Sequence, residues 1–364
     1  MLVAVDTRTD DPHFPGIGRY TRNLAHALLR TATAADEIVL ITGHRRPARG
    51  PVRVATVAAS PFSLRQHWAI PAHLHRLGAH LYHSPYFLMP FRPRIPCVVT
   101  IHDLIPLRFP HYFTAAQRLL YRLALRRAVQ VARILIAVSD ATRSDLVSLL
   151  GVDPHRIRVV HEGVEPLFTP AAPPAIAAMR NRIGLPDRYA LCVGSNKPHK
   201  NLVRLVDAWA QLRGAIPLIV AGPWDARFPE ARRRGAALEA AGRLRWIGQV
   251  ADSDLPALYA GAQCLVAPSE CEGFGLPVLE AMACGTPVAC AQAGSLPEVA
   301  GDAAVLFDPG DVDSIAHALD GLLADDAQRA ALMQRGLARA ATFTWDAAAT
   351  QTWEVYRRAV DEGG

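Results

Sequence analysis

The run Pro268-Ser269-Glu270-Cys271-Glu272-Gly273-Phe274-Gly275-Leu276-Pro277-Val278-Leu279-Glu280-Ala281-Met282-Ala283-Cys284-Gly285-Thr286-Pro287-Val288 decides how the rest of the chain is read. An apolar stretch at 264–268 suits a buried strand and ends in a glycine-rich turn holding the carboxylate of Glu272. A helix carrying Glu280 follows, then Gly-Thr-Pro and another apolar stretch at 288–291. Strand, turn, helix and strand in this order form one unit of a parallel sheet. Backbone amides at a helix N-terminus suit a phosphate, and a carboxylate accepts hydrogen bonds from the vicinal hydroxyls of a ribose or hexose. Singly, Glu280 reads as a solvated side chain and Glu272 as a helix cap. With the glycines between them, they read as a ligand site.

The same alternation extends in both directions. Strands are expected at 189–193, 217–221, 244–247, 264–268, 288–291 and 304–307 in the second half, and at 2–6, 38–42, 52–57, 81–84, 97–102, 134–139 and 157–161 in the first. Helices are expected in the first half at about 18–30, 64–77, 115–132 and 141–150. Between the halves, Pro166-Leu167-Phe168-Thr169-Pro170-Ala171-Ala172-Pro173-Pro174 reads as a linker. At roughly 150 residues per domain, 364 residues predict two. The expected division is 1–168 and 169–344, both Rossmann-like α/β domains, with a last helix at about 345–364 packing back onto the first. Two such domains imply a cleft faced by the loops at the carboxyl ends of their strands.

Charge divides unevenly between these halves. The chain carries 39 basic and 33 acidic side chains, of which residues 1–170 hold 21 and 11, and 171–364 hold 18 and 22. A first half at +10 against a second at −4 points to an anionic partner for the first. Only two of the basic residues are lysines, Lys197 and Lys200, both in Gly194-Ser195-Asn196-Lys197-Pro198-His199-Lys200-Asn201, which follows an apolar run and opens a helix. Six cysteines without a C-x-x-C pair, most in apolar runs, read as core residues of a reducing cytoplasm. The N-terminus lacks the pattern of a signal peptide, and no apolar stretch is long enough to span a membrane.

Gly16-Ile17-Gly18-Arg19-Tyr20-Thr21 joins the first strand to a helix and suits close approach of an anion or sugar. A dinucleotide fingerprint would need glycine where Thr21 stands and an acid near Gly43-His44-Arg45. Asp252-Ser253-Asp254 and Asp311-Val312-Asp313 each precede an amphipathic run and read as N-caps rather than metal ligands. His73 and His75 point to different faces of a helix, so no zinc site is expected. The helix at 115–132 carries Arg118, Arg122 and Arg126 at one-turn spacing beside leucines, a basic face suited to anionic lipid or to plain solvation. Without interleaved aromatics it does not suit nucleic acid.

Taken together, these motifs resemble glycosyltransferase family 4, retaining enzymes of the GT-B fold. The resemblance covers nearly the whole chain: the E-x7-E run at Glu272 and Glu280, Gly16 and Gly18, Thr100-Ile101-His102-Asp103, Val138-Ser139, Glu162-Gly163-Val164, Val193 to Asn201, and Gly294 to Gly301. It implies that Glu272 contacts the donor sugar, that Glu280 contacts the nucleotide ribose, and that Lys200 neutralises the leaving diphosphate. Many members have arginine where this chain has His199, so a second positive charge would fall to Lys197. His102 takes the place of a family histidine that lines the donor sugar, with Asp103 beside it. The remaining donor-binding set implied is Gly194, Ser195, Val250, Gly273, Phe274, Gly275 and Leu276.

The activity implied is retaining transfer of a hexose, mannose favoured and GDP-mannose a candidate donor, from a nucleoside-diphosphate sugar. The acceptor is a saccharide or lipid-linked species in surface polysaccharide, lipopolysaccharide or glycoconjugate synthesis. No cofactor or metal is expected beyond the nucleotide-sugar co-substrate, and the location expected is the cytoplasm, with contact at the inner membrane face. The alternatives are a nucleotide-sugar 2-epimerase of the same fold and a non-enzymatic basic binding module.

Overall fold

The computed structural model describes residues 1–11, 13, 15–43, 52–213 and 216–361. It divides into two compact units, Met1–Gly163 with Thr344–Gly364, and Val164–Phe343. The division thus follows Gly163, ahead of the expected 168, and residues 362–364 of the expected last helix lie outside the described residues, as do His44 and Arg45.

The first unit runs β1 (Leu2–Asp6), α1 (Pro15–Thr31), β2 (Glu37–Thr42), β3 (Arg53–Thr56), α2 (Gln66–Leu77), β4 (Leu81–Ser84), β5 (Cys97–Ile101), α3 (Ile105–Arg108), α4 (Ala115–Val131), β6 (Ile134–Ala137), α5 (Asp140–Leu150) and β7 (Ile157–Val159). Its sheet is parallel throughout, in the order β3-β2-β1-β4-β5-β6-β7. The second unit runs α6 (Pro173–Ile183), β8 (Ala190–Val193), α7 (Leu202–Gln211), β9 (Leu218–Ala221), α8 (Glu230–Ala240), β10 (Leu244–Gly248), α9 (Leu255–Ala260), β11 (Cys264–Ala267), α10 (Leu276–Ala283), β12 (Val288–Ala291), α11 (Leu296–Ala300), β13 (Ala304–Phe307), α12 (Val312–Ala324) and α13 (Asp326–Ala340). Its parallel sheet is ordered β10-β9-β8-β11-β12-β13. The chain then returns to the first unit as α14 (Trp345–Asp361).

Continuous apolar strands such as Leu2-Val3-Ala4-Val5 and Ile134-Leu135-Ile136-Ala137 are buried along their whole length because helices cover both faces of a parallel sheet. Helix ends follow local chemistry. Thr114 and Gln117 form a capping box on α4, Ser139 caps α5, and α2, α5 and α6 stop at Gly78, Gly151 and Gly184 in the left-handed region. α14 packs along α1, and the Trp345 ring meets Tyr20 edge-on at 5.6 Å. Gly163 permits this approach, since a Cβ there would stand 2.3 Å from the Trp345 nitrogen.

Three local expectations change. α1 opens at Pro15 rather than Gly18, so Gly16 and Gly18 belong to the helix itself instead of to a loop before it. The proline-rich stretch ends as the first turn of α6, whose N-terminal positions tolerate proline because their N–H groups have no partner in the helix. Asp311 does cap α12 by accepting from the Asp313 nitrogen, but Asp254 makes no cap hydrogen bond and pairs with Arg182 instead. Among the described residues no helix is long and apolar enough to cross a membrane. The six cysteines are buried and unbridged, and burial pushes the thiols of Cys97, Cys192, Cys264, Cys284 and Cys290 up to about 12.

Candidate functional site

In the second unit the ends of the two adjacent strands β8 and β11 build a charged pocket. Gly194, Ser195, Lys200, Ser269, Glu272 and Gly275 line it. The ammonium of Lys200 stands 2.6 Å from Glu272 Oε1, and the Ser269 hydroxyl donates to the same oxygen at 2.6 Å. Burial favours the neutral form of Glu272, but the Lys200 charge and the Lys200 and Ser269 hydrogen bonds outweigh it and hold the carboxyl below its ordinary range.

The backbone is fixed from several directions. Asn201, left-handed at φ 56°, donates its amide to the carbonyls of Pro268 (3.1 Å) and Pro309 (2.7 Å), which ties the Lys200 turn to the end of β11. The buried Ser295 hydroxyl lies within hydrogen-bonding distance of the carbonyls of Glu272 and Phe274. Gly294 sits at φ 57°, and a Cβ there would lie 2.9 Å from the Glu272 nitrogen. Asn196 donates to the carbonyls of Asp225 and Phe228 and accepts from the Asp225 nitrogen, which orders the loop ahead of Lys197.

The expected donor residues divide accordingly. Gly194, Ser195, Lys200, Glu272 and Gly275 come together. Gly273 and Phe274 shape the turn, the Phe274 ring packing on Phe343 at 5.8 Å, and Leu276 opens α10. Val250 follows β10 and Lys197 is solvent-exposed; neither lines the pocket. Glu280 is 2% exposed and accepts the Tyr259 hydroxyl at 2.7 Å. His199 is buried, and burial followed by the charge of Lys200 brings its imidazole down to about 4. It is therefore neutral near pH 7, and Lys200 with Lys197 carries the positive charge of this loop.

In the first unit His102 follows β5 beside a cavity of about 320 Å³ bordered by Ile17 of α1, Tyr86, Phe87, Asp103, Phe113 and Tyr121. Gly18 lets α1 approach, its missing Cβ site lying 3.0 Å from the Thr9 carbonyl, whereas Gly16 faces open space. Both ring nitrogens of His102 face acceptors: Nε2 the Pro85 carbonyl at 2.9 Å and Nδ1 the Glu162 carboxylate at 3.3 Å. Both acceptors are satisfied together only when both ring nitrogens carry hydrogen, so the site favours the imidazolium. Burial opposes that charge, but Glu162, the Pro85 carbonyl and Asp103 prevail and raise the His102 pKa. The Tyr20 ring meets His102 edge-on at 4.6 Å. Behind it runs a buried chain: Tyr20 Oη to Thr100 Oγ1 at 3.1 Å, Thr100 to His83 Nε2 at 2.9 Å, and His83 Nδ1 to Tyr356 Oη of α14 at 2.6 Å.

Glu162, Tyr20, Ser269, Asn201 and Gly294 were not singled out from the sequence. Each nonetheless stands in a run that was: Glu162 in the Glu-Gly-Val run, Asn201 directly after Lys200, Gly294 at the head of the 294–301 run, Tyr20 after Gly18 and Ser269 ahead of Glu272.

Two parallel-sheet Rossmann-like units of this kind define the GT-B fold. Over the whole of both chains the fold matches sucrose-phosphate synthase from Thermosynechococcus elongatus with a TM-score of 0.79 at 24% identity. It matches Anabaena HepE, solved with UDP and glucose, with a TM-score of 0.77 at 21% identity over 98% of this chain and 100% of that one. The family described as Glycosyltransferase Family 4 matches residues 15–166, and that described as Glycosyl transferases group 1 matches residues 177–339. An O-antigen chain mannosyltransferase B of Escherichia coli is 37% identical over 302 residues, 80% of this chain and 77% of its own. The chain belongs to the group 1 glycosyltransferases, family 4.

Proposed function

We propose that the chain transfers a hexose, mannose favoured, from a nucleoside-diphosphate sugar to a saccharide or lipid-linked acceptor in surface polysaccharide, lipopolysaccharide or glycoconjugate synthesis, with retention and without metal. The observation that carries this reading is the Lys200 ammonium held 2.6 Å from Glu272 at the mouth of the Gly194 loop. Of its three N–H donors only one meets Glu272, and the others serve a diphosphate. The amides at the start of α10 add their dipole. As the bond from the sugar's anomeric carbon to the diphosphate breaks, the electron pair passes to the phosphate oxygen. Lys200 stabilises that charge without a divalent ion.

Glu272 accepts hydroxyls of the donor sugar, and Glu280 serves the ribose once Tyr259 yields a share of its carboxylate. The cavity beside His102 takes the acceptor, whose hydroxyl oxygen bonds the anomeric carbon on the face the diphosphate leaves. Its proton passes to the departing phosphate. The His102 imidazolium orients and polarises rather than acting as a base. The mannose preference rests on the name of the Escherichia coli relative, and family membership supports transfer over epimerisation.

The exposed side chains Leu119, Leu120 and Leu123 beside Arg118, Arg122 and Arg126 on α4 support peripheral contact with anionic lipid at the inner membrane face. The test of the reaction is product anomeric configuration by NMR, using GDP-mannose and candidate lipid-linked saccharides in EDTA. An α product from the α donor supports the reading. A β product, or turnover only after a divalent metal is restored, overturns it.

A further inference from the structure

We propose that the flank of the first unit formed by α2 and residues 85–96 is a second membrane-docking surface, built to seat on an anionic phospholipid bilayer. The proposal rests on the lipid reading of α4 and extends it to a separate element. Trp68 and Phe91 are 65% and 44% exposed, large apolar side chains that water does not favour. The Phe91 ring is held in place: it stacks on His67 at 4.0 Å, and the Phe91 nitrogen donates to His67 Nδ1 at 3.2 Å.

Beside these side chains lies a groove of about 580 Å³, floored by Trp68, Pro71 and Ile95 and rimmed by Arg76, Arg92 and Arg94. No carboxylate lines it, and none of the three guanidinium groups has an ion-pair or hydrogen-bond partner among the described residues. Arg94 sits at φ 67°, a conformation that disfavours any residue with a Cβ. Between Glu37 and Asp140 the sequence holds fourteen arginines, no lysine and a single carboxylate, Asp103, which belongs to the His102 cavity.

Unpaired guanidinium groups on two elements, with the exposed Trp68 and Phe91 beside them, match the chemistry of a bilayer interface. Arginine binds phosphate oxygens bidentately, and indole prefers the headgroup level. The flank and α4 are mechanically joined, because Arg127 of α4 donates to the Phe91 carbonyl at 2.8 Å.

The test is flotation of the full chain with phosphatidylglycerol–phosphatidylcholine vesicles and with pure phosphatidylcholine vesicles, at low and high salt. Two variants are compared with wild type: Arg76→Gln/Arg92→Gln/Arg94→Gln on the flank and Leu119→Gln/Leu120→Gln/Leu123→Gln on α4. Circular dichroism and nucleotide binding confirm that each is folded. The flank variant should lose partitioning to anionic vesicles by roughly tenfold or more, since it removes three cationic contacts to lipid phosphate at once. Brominated lipid should quench wild-type fluorescence more than that of Trp68→Phe. A flank variant that floats like wild type, while the α4 variant does not, overturns this proposal and leaves the α4 reading standing. Failure of wild type to float overturns both. Protection of the flank by inorganic phosphate or DNA but never by vesicles overturns the bilayer as its occupant.

Discussion

Lys200 and Glu272 act on each other before any ligand arrives, and their separate removal should have different consequences. On the proposed mechanism Lys200→Ala deletes the charge offered to the leaving group, and turnover should fall by roughly 10²–10³-fold. It also leaves a largely buried carboxylate without its partner, which costs about 1–3 kcal/mol of stability. Adding Glu272→Gln should restore the unfolding midpoint but not turnover, and denaturant titration beside initial rates separates the two effects. Because the Glu272 pKa is depressed in the fold, its contribution to stability is present above the ordinary carboxyl range and is lost as pH falls through the folded value. His102 has the opposite sign. Its raised pKa contributes stability below 6.5 that is lost as pH rises through the folded value, and Glu162 and Asp103 are the facing charges. Glu162→Gln keeps an acceptor for Nδ1 but removes the charge, so the alkaline limb of kcat/KM should move to lower pH. An unmoved limb would show that His102 does not carry the titration.

At the level of elements, α14 is tied into the first unit through the Tyr356–His83 hydrogen bond. Burial brings the His83 imidazole down to about 3, with Asp6 opposing and His102 reinforcing the shift. The unfolded chain therefore takes up a proton that the fold refuses. Stability should decline as pH falls below 6.5 towards 3, and His83→Asn should flatten that slope in denaturant midpoints measured across it. Gly163→Ala, which forces a Cβ onto the backbone of residues 344–345, should cost about 1–3 kcal/mol in the same assay. The strands were legible because apolar runs bounded by turn residues recur through both halves. Lys200 and the E-x7-E run were legible because each lies in one short segment. The partners were not: Glu162 reaches His102 from 60 residues away, and Gly294 meets Glu272 only after α10 and β12 intervene. Pairings of that kind are set by the sheet order, which local pattern does not contain. The start of α1 was missed for a local reason, since Pro15 and Gly16 read as a turn although proline suits the first helical position.

For the molecule as a whole, the uneven charge has two destinations. The positive first half carries the exposed arginines of α2, α4 and residues 92–94, whereas in the second half the two lysines stand in a single loop within an otherwise acidic sequence. We propose that this loop holds a nucleoside diphosphate through Lys200 without a metal ion. Isothermal titration of UDP, GDP, ADP and dTDP into the full chain, with EDTA throughout, tests it most directly. One nucleotide should bind, and Lys200→Ala should weaken it by roughly tenfold or more, as the loss of a charge-assisted hydrogen bond requires. Binding that appears only when a divalent metal replaces EDTA, or that Lys200→Ala leaves unchanged, would contradict it.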